Sequence, residues 1–64
     1  MSFRNSREAA GKTIVETAKA LGVSRQAVHG WEHGVYNPTA DMLVKLASFY
    51  GCSIDELMRK ENAD

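Results

Sequence analysis

The chain has 64 residues, 44% of them hydrophobic and 25% charged, which fits one small globular domain and leaves little room for a conventional enzyme pocket. Its single cysteine excludes an internal disulfide, and no apolar stretch is long enough for a membrane span or a secretory signal, so we expect a cytoplasmic protein. The net charge is zero, but residues 1–30 sum to +3 and residues 31–64 to −3, so the amino-terminal half is better suited to face a polyanion.

Helix signals recur along the chain and predict an all-α domain over residues 1–64. A capping box precedes the second and the fifth helix, starting at Thr13 and at Ser53. Gly22 and Gly51 each suit the left-handed position that ends a helix. We expect five helices, at residues 3–10, 14–21, 25–32, 40–50 and 54–60, and a polar tail at 59–64 that frays.

Residues 14–33 form a helix, a tight turn at Gly22 and a second helix, which is the segment that predicts function. Ala18 and Val28 are placed where these two helices would cross, so the other side of the second helix is left polar or small. An arginine can pair with guanine, a glutamine with adenine, and an alanine methyl can touch a thymine methyl. We therefore predict base contacts in the major groove from Arg25, Gln26 and Ala27.

A resemblance to the Cro/repressor-type (Xre-like) helix-turn-helix domain of phage and bacterial regulators is carried by residues 13–32, TIVETAKALGVSRQAVHGWE, and by Gly34 and Pro38. Residues 43–57 resemble the last two helices of that family. The resemblance covers residues 7–58 and implies a compact five-helix fold whose third helix enters the major groove. It also implies a transcriptional repressor that binds a near-palindromic operator in double-stranded DNA as a homodimer.

The resemblance further implies roles for residues around the third helix. The start of the second helix and the loop after the third helix meet phosphates in the family, and a family glutamate pairs with an arginine of the first helix. The second correspondence implies a structural ion pair between Arg7 and Glu32. The implied phosphate or nearby contacts are Thr13, Ser24, His29, Gly30, Tyr36 and Asn37. For the Tyr36 ring, a phosphate contact and a role in covering the core both stay open.

Two departures from the family pattern favour an alternative function. Ile14 stands where the family often has a polar, phosphate-binding residue, and residues 35–37 replace a loop that is commonly rich in lysine and arginine. Fewer cationic contacts weaken non-specific DNA binding. The alternative is a protein-interaction module on the same fold, with weak or no DNA binding.

The remaining motifs predict no chemistry of their own. Residues 29–33 match the H-x-x-E-H zinc pattern, but no third ligand is evident, so we expect no metal, no cofactor and no catalytic residue. Cys52 is expected to be a small buried hydrophobe, and no small-molecule effector is evident. The fifth helix has an apolar side, which by resemblance forms the seam of a weak homodimer. The predicted seam residues are Ile54, Leu57 and Met58.

Overall fold

The computed structural model describes residues 2–58. These residues form five helices, α1 (Phe3–Ala9), α2 (Ile14–Leu21), α3 (Arg25–Glu32), α4 (Ala40–Tyr50) and α5 (Ile54–Met58), and no strand occurs among them. The all-α prediction is confirmed, with α1 ending one residue earlier than expected. The predicted extension of α5 to residue 60 and the predicted fraying of residues 59–64 lie outside the described residues. None of the helices within residues 2–58 is long and apolar enough to cross a membrane.

The helix ends are fixed by local hydrogen bonds. A hydroxyl side chain before each helix accepts a hydrogen bond from the backbone N–H three residues further on; these side chains belong to Ser2, Thr13, Ser24, Thr39 and Ser53. The carboxylates of Glu16 and Glu56 complete the bond in the other direction at α2 and α5. Gly22 (φ 70°) and Gly51 (φ 71°) end α2 and α4 in the left-handed conformation that a glycine adopts without strain. The connections are therefore short and fixed in direction.

The core lies where α2, α3 and α4 meet, and α5 covers it by packing against α1 and α4. Its buried hydrophobic residues are Ala18, Leu21, Val28, Trp31, Leu46, Ala47, Tyr50 and Leu57. The small side chain of Ala18 is 4% exposed and Val28 is 1% exposed, as expected for positions where two helices cross closely. This crossing sets the angle at which α3 is presented to the surface.

The prediction that Leu57 belongs to a dimer seam is wrong. Leu57 is 1% exposed and lies in the core of the single chain, against α1 and α4. Its neighbour Met58 is rotated from it by about 100° around the helix axis. Met58 and Ile54 are four residues apart, which places them on one side of α5, and they remain 52% and 40% exposed. Only these two of the three predicted seam residues are available to a partner.

Candidate nucleic-acid interface

A buried ion pair holds α3 in place. The Arg7 Nε donates to Glu32 Oε2 over 2.6 Å, and Nη2 donates to Oε1 over 3.2 Å. The third guanidinium nitrogen, Nη1, donates to the Lys12 carbonyl oxygen over 3.0 Å. The two charged side chains are only 13% and 3% exposed. The hydrogen bonds that Arg7 donates to the Glu32 carboxylate raise the pKa of Arg7, although burial opposes the shift. One side chain therefore ties α1, the connection to α2, and α3 together.

The opposite side of α3 faces solvent. Arg25, Gln26 and His29 are exposed, and Ser24 is exposed while its hydroxyl caps the helix. Ala27 is half-buried and packs against the core, so it presents less of its surface than the other predicted base-reading residues. The exposed first turn of α3 thus carries one guanidinium and one amide side by side. The guanidinium offers two parallel donors, which suit guanine, and the amide offers one donor and one acceptor, which suit adenine.

The interpretation of Gly30 as a DNA contact conflicts with its burial. The Tyr36 ring covers this residue so closely that a Cβ atom on Gly30 would lie 2.6 Å from Cε2 and closer still to Cδ2. A side chain at position 30 would therefore displace the Tyr36 ring, which occupies that space. An isolated glycine within a helical pattern was the sequence signal that such an approach exists.

The loop after α3 is anchored to the helix and exposed at its tip. The backbone N–H groups of Val35 and Tyr36 donate to the Gly30 carbonyl oxygen over 2.9 Å and 3.3 Å. Tyr36 remains 57% exposed and Val35 66% exposed, and Asn37 is exposed as well. The Tyr36 ring thus covers a buried glycine, and more than half of the residue stays accessible. Its contact with a phosphate stays a prediction.

The amino-terminal end of α2 borders the same surface. Thr13 is exposed, its N–H donates to the Glu16 carboxylate over 2.8 Å, and its hydroxyl accepts from the Glu16 N–H over 3.0 Å. The backbone hydrogen bond from Thr13 lowers the pKa of Glu16, which therefore places a carboxylate at this helix end. Two donors of the helix start are thus bound internally. A phosphate here would meet the N–H groups of Ile14 and Val15 instead.

Between α2, α3 and the loop lies an open groove of about 700 Å³. It is lined by Ile14, Val15, Arg25, Gln26, His29, Gly30, Val35 and Tyr36. Half of these side chains are apolar, and Val15, Val35 and Tyr36 are among the most exposed large hydrophobic residues of the described part. The groove therefore has a mixed surface. Polar groups lie along α3, and beside them lies an apolar wall formed by Ile14, Val15, Val35 and Tyr36.

Arg25 is the only cationic residue among those that line the groove. Three other basic residues near the amino terminus contact groups outside the groove. Arg4 pairs with Glu8 over 3.2 Å on the exposed face of α1, and Arg7 is bound to Glu32. The Lys12 ammonium lies 5.1 Å from the centroid of the Phe49 ring. The positive charge that the groove offers to a polyanion therefore rests largely on Arg25.

The zinc-like pattern at residues 29–33 does not assemble as a catalytic site. The His29 and His33 rings lie with centroids 4.1 Å apart, but the Glu32 carboxylate faces Arg7. Within residues 2–58 no three potential ligands of the histidine, cysteine or carboxylate type come together. Cys52 is half-buried beside the core.

The sequence matches known proteins over nearly its whole length. A family model described as helix-turn-helix matches residues 3–57. The chain is 38% identical over 50 residues to an uncharacterized HTH-type transcriptional regulator from Methanocaldococcus jannaschii, covering 78% of this chain and 76% of that protein. It is 31% identical over 59 residues to the HTH-type transcriptional regulator ImmR from Bacillus subtilis, covering 92% of this chain. The match spans 46% of the length of ImmR, so less than half of that relative is represented.

Proposed function

The chain belongs to the helix-turn-helix family of DNA-binding transcriptional regulators, and we propose that it acts as a repressor, bound to a near-palindromic operator as a homodimer. The proposal treats residues 1–64 as a single DNA-binding domain. The observation that carries it is the exposed pair of Arg25 and Gln26 at the start of α3. The opposite side of this helix is anchored by the ion pair of Glu32 with Arg7. A helix presented in this way fits the major groove, where side chains near its first turn reach base edges.

The experiment that tests the proposal is selection of bound DNA from a random pool. We expect enrichment of a two-fold motif with half-sites separated by about 10 base pairs, because two copies of α3 would then lie about 34 Å apart. Repression is tested separately, by placing the selected operator over a promoter and measuring transcription with and without the protein. A motif without two-fold symmetry would contradict the homodimer, and unchanged transcription would contradict the repressor.

We expect Arg25→Ala to lower operator affinity by about 1–3 kcal/mol and to relax the preference for one base pair in each half-site. The reason is that Arg25 is both an exposed base-reading candidate and the cation of the groove. The measurement is a binding titration with operator and with scrambled DNA. Arg4→Ala is the matched control, because it removes the same charge from an exposed residue on α1. If Arg25→Ala leaves the ratio of the two affinities unchanged, Arg25 does not read a base.

The proposed dimer uses the exposed side of α5. Ile54 and Met58 remain 40% and 52% exposed there, and they lie in the half of the chain that carries a charge of −3, away from phosphates. We expect Met58→Glu to abolish cooperative binding to a two-half-site operator while the monomer stays folded. Sedimentation measures the oligomeric state, and a binding titration measures the cooperativity. Val44→Glu, at a residue 56% exposed on α4, is the control for the added charge. A folded Met58→Glu variant that still binds cooperatively would place the dimer elsewhere.

The apolar wall of the groove favours a second candidate, a protein-interaction module on the same fold. Val15 and Val35 are exposed on the surface where a DNA-binding protein benefits from cations. An exposed apolar patch is typical of a surface that contacts another protein. The selection experiment separates the two functions, because an interaction module would leave the random pool without enrichment.

A further inference from the structure

We infer that the ring of Tyr36 takes the place of a side chain at Gly30 and contacts the methyl group of a thymine in the operator. This inference rests on the proposed function, since it assigns one base contact within the same DNA-binding surface. Tyr36, a loop residue, would thus contact a base beside the bases contacted by Arg25 and Gln26 of α3.

The geometry at Gly30 supports the view that the Tyr36 ring occupies the place of a Gly30 side chain. A Cβ atom on Gly30 would lie 2.6 Å from Tyr36 Cε2 and 3.3 Å from Cγ, so the ring fills the space into which a side chain would project. Gly30 follows Gln26 by four residues, which places both on one face of α3. The ring therefore continues the row of side chains that begins with the base-reading first turn.

The ring is also held in position and accessible. The two backbone hydrogen bonds from Val35 and Tyr36 to the Gly30 carbonyl oxygen fix the loop against α3. Although part of the ring covers Gly30, the residue is 57% exposed. It lines the same groove as Arg25 and Gln26. A contact made by this ring thus falls beside the contacts made by α3.

The surroundings of the ring decide the chemistry of its contact. Ile14, Val15 and Val35 line the groove together with Tyr36 and make this wall apolar. Phosphates and the polar atoms of base edges gain nothing from an apolar wall, because their desolvation is not compensated by hydrogen bonds. The apolar group that the major groove presents is the C5-methyl of thymine. The apolar wall is therefore suited to contact the C5-methyl group of a thymine.

The test replaces thymine by deoxyuridine, one position at a time, in the operator recovered by selection. Deoxyuridine pairs as thymine does and lacks only the methyl group. We expect wild-type protein to lose affinity by about fourfold per half-site at one position, the effect of one buried methyl group. Tyr36→Ala should bind both operators equally at that position, whereas Tyr36→Phe should keep the wild-type preference because it retains the ring.

Val44→Ala, which shortens an equally exposed side chain outside the groove, should also keep the preference, and urea unfolding verifies that every variant is folded. The inference is overturned if wild-type protein is indifferent to every thymine methyl, if Tyr36→Ala still discriminates, or if Tyr36→Phe loses discrimination. In each of these cases wild-type protein still binds its operator and the proposed function stands. Absence of operator binding by wild-type protein would overturn the proposed function and this inference together.

Discussion

Replacing Glu32 with alanine should destabilise the protein by about 1–4 kcal/mol, because the change leaves a partly buried guanidinium without its charged partner. The Glu32 side chain is 3% exposed and accepts two hydrogen bonds from Arg7. In the variant Arg7 keeps only its bond to the Lys12 carbonyl oxygen, which carries no compensating charge. Urea unfolding of the wild type and the variant measures the difference in the free energy of unfolding.

The control for this prediction lies on α1 itself. Arg4 and Glu8 form an exposed pair whose side chains are 63% and 53% exposed, so Glu8→Ala should change stability by less than about 1 kcal/mol. A double-mutant cycle through Arg7→Ala and Glu32→Ala then isolates the interaction of the buried pair. If the two changes are additive, Arg7 and Glu32 do not act as a pair and α3 is held by its apolar residues alone.

The second large effect is expected at Leu57. Leu57→Ala removes a fully buried side chain and should destabilise the protein by about 2–5 kcal/mol. A chain of 64 residues has a total stability of only about 3–10 kcal/mol, so the variant should be partly unfolded at room temperature. Thermal unfolding followed by circular dichroism gives the measurement.

Met58→Ala is the matched variant for Leu57, because Met58 is the next residue on the same short helix and is 52% exposed. We expect it to change stability by about 0.5 kcal/mol at most. The contrast separates the core role of Leu57 from the proposed dimer role of its neighbour. A Leu57→Ala variant that is as stable as the wild type but no longer dimeric would show that Leu57 contacts the partner in the dimer.

Features that depend on neighbouring residues were predictable from the sequence. The bounds of α2, α3 and α4 agree with prediction because Thr13, Ser24 and Thr39 cap helices through bonds to residues three positions away. The left-handed glycines Gly22 and Gly51 end helices for reasons that are equally local. Such signals lie within one helical turn and need no knowledge of the tertiary structure.

Features that depend on distant residues were not predictable in the same way. Leu57 and Met58 are adjacent apolar residues of a short predicted helix, and its pattern does not indicate which of them faces inward. The contact between Gly30 and Tyr36 needs the path of the loop, which no spacing rule supplies. The ion pair of Arg7 and Glu32 spans 25 positions and was anticipated through family resemblance alone.

The exposed side of α3 and the side that packs against the domain are formed by largely different residues, with half-buried Ala27 between them. Val28, Trp31 and Glu32 anchor the helix to the rest of the domain, whereas Arg25 and Gln26 are exposed. Substitutions at exposed positions of this kind usually change stability by about 0.5 kcal/mol or less. Under the proposed function, substitutions at Arg25 and Gln26 should therefore change the target sequence at little cost in stability. The same separation makes α3 suitable for redesign, in which Arg25 and Gln26 are exchanged while Val28, Trp31 and Glu32 are kept.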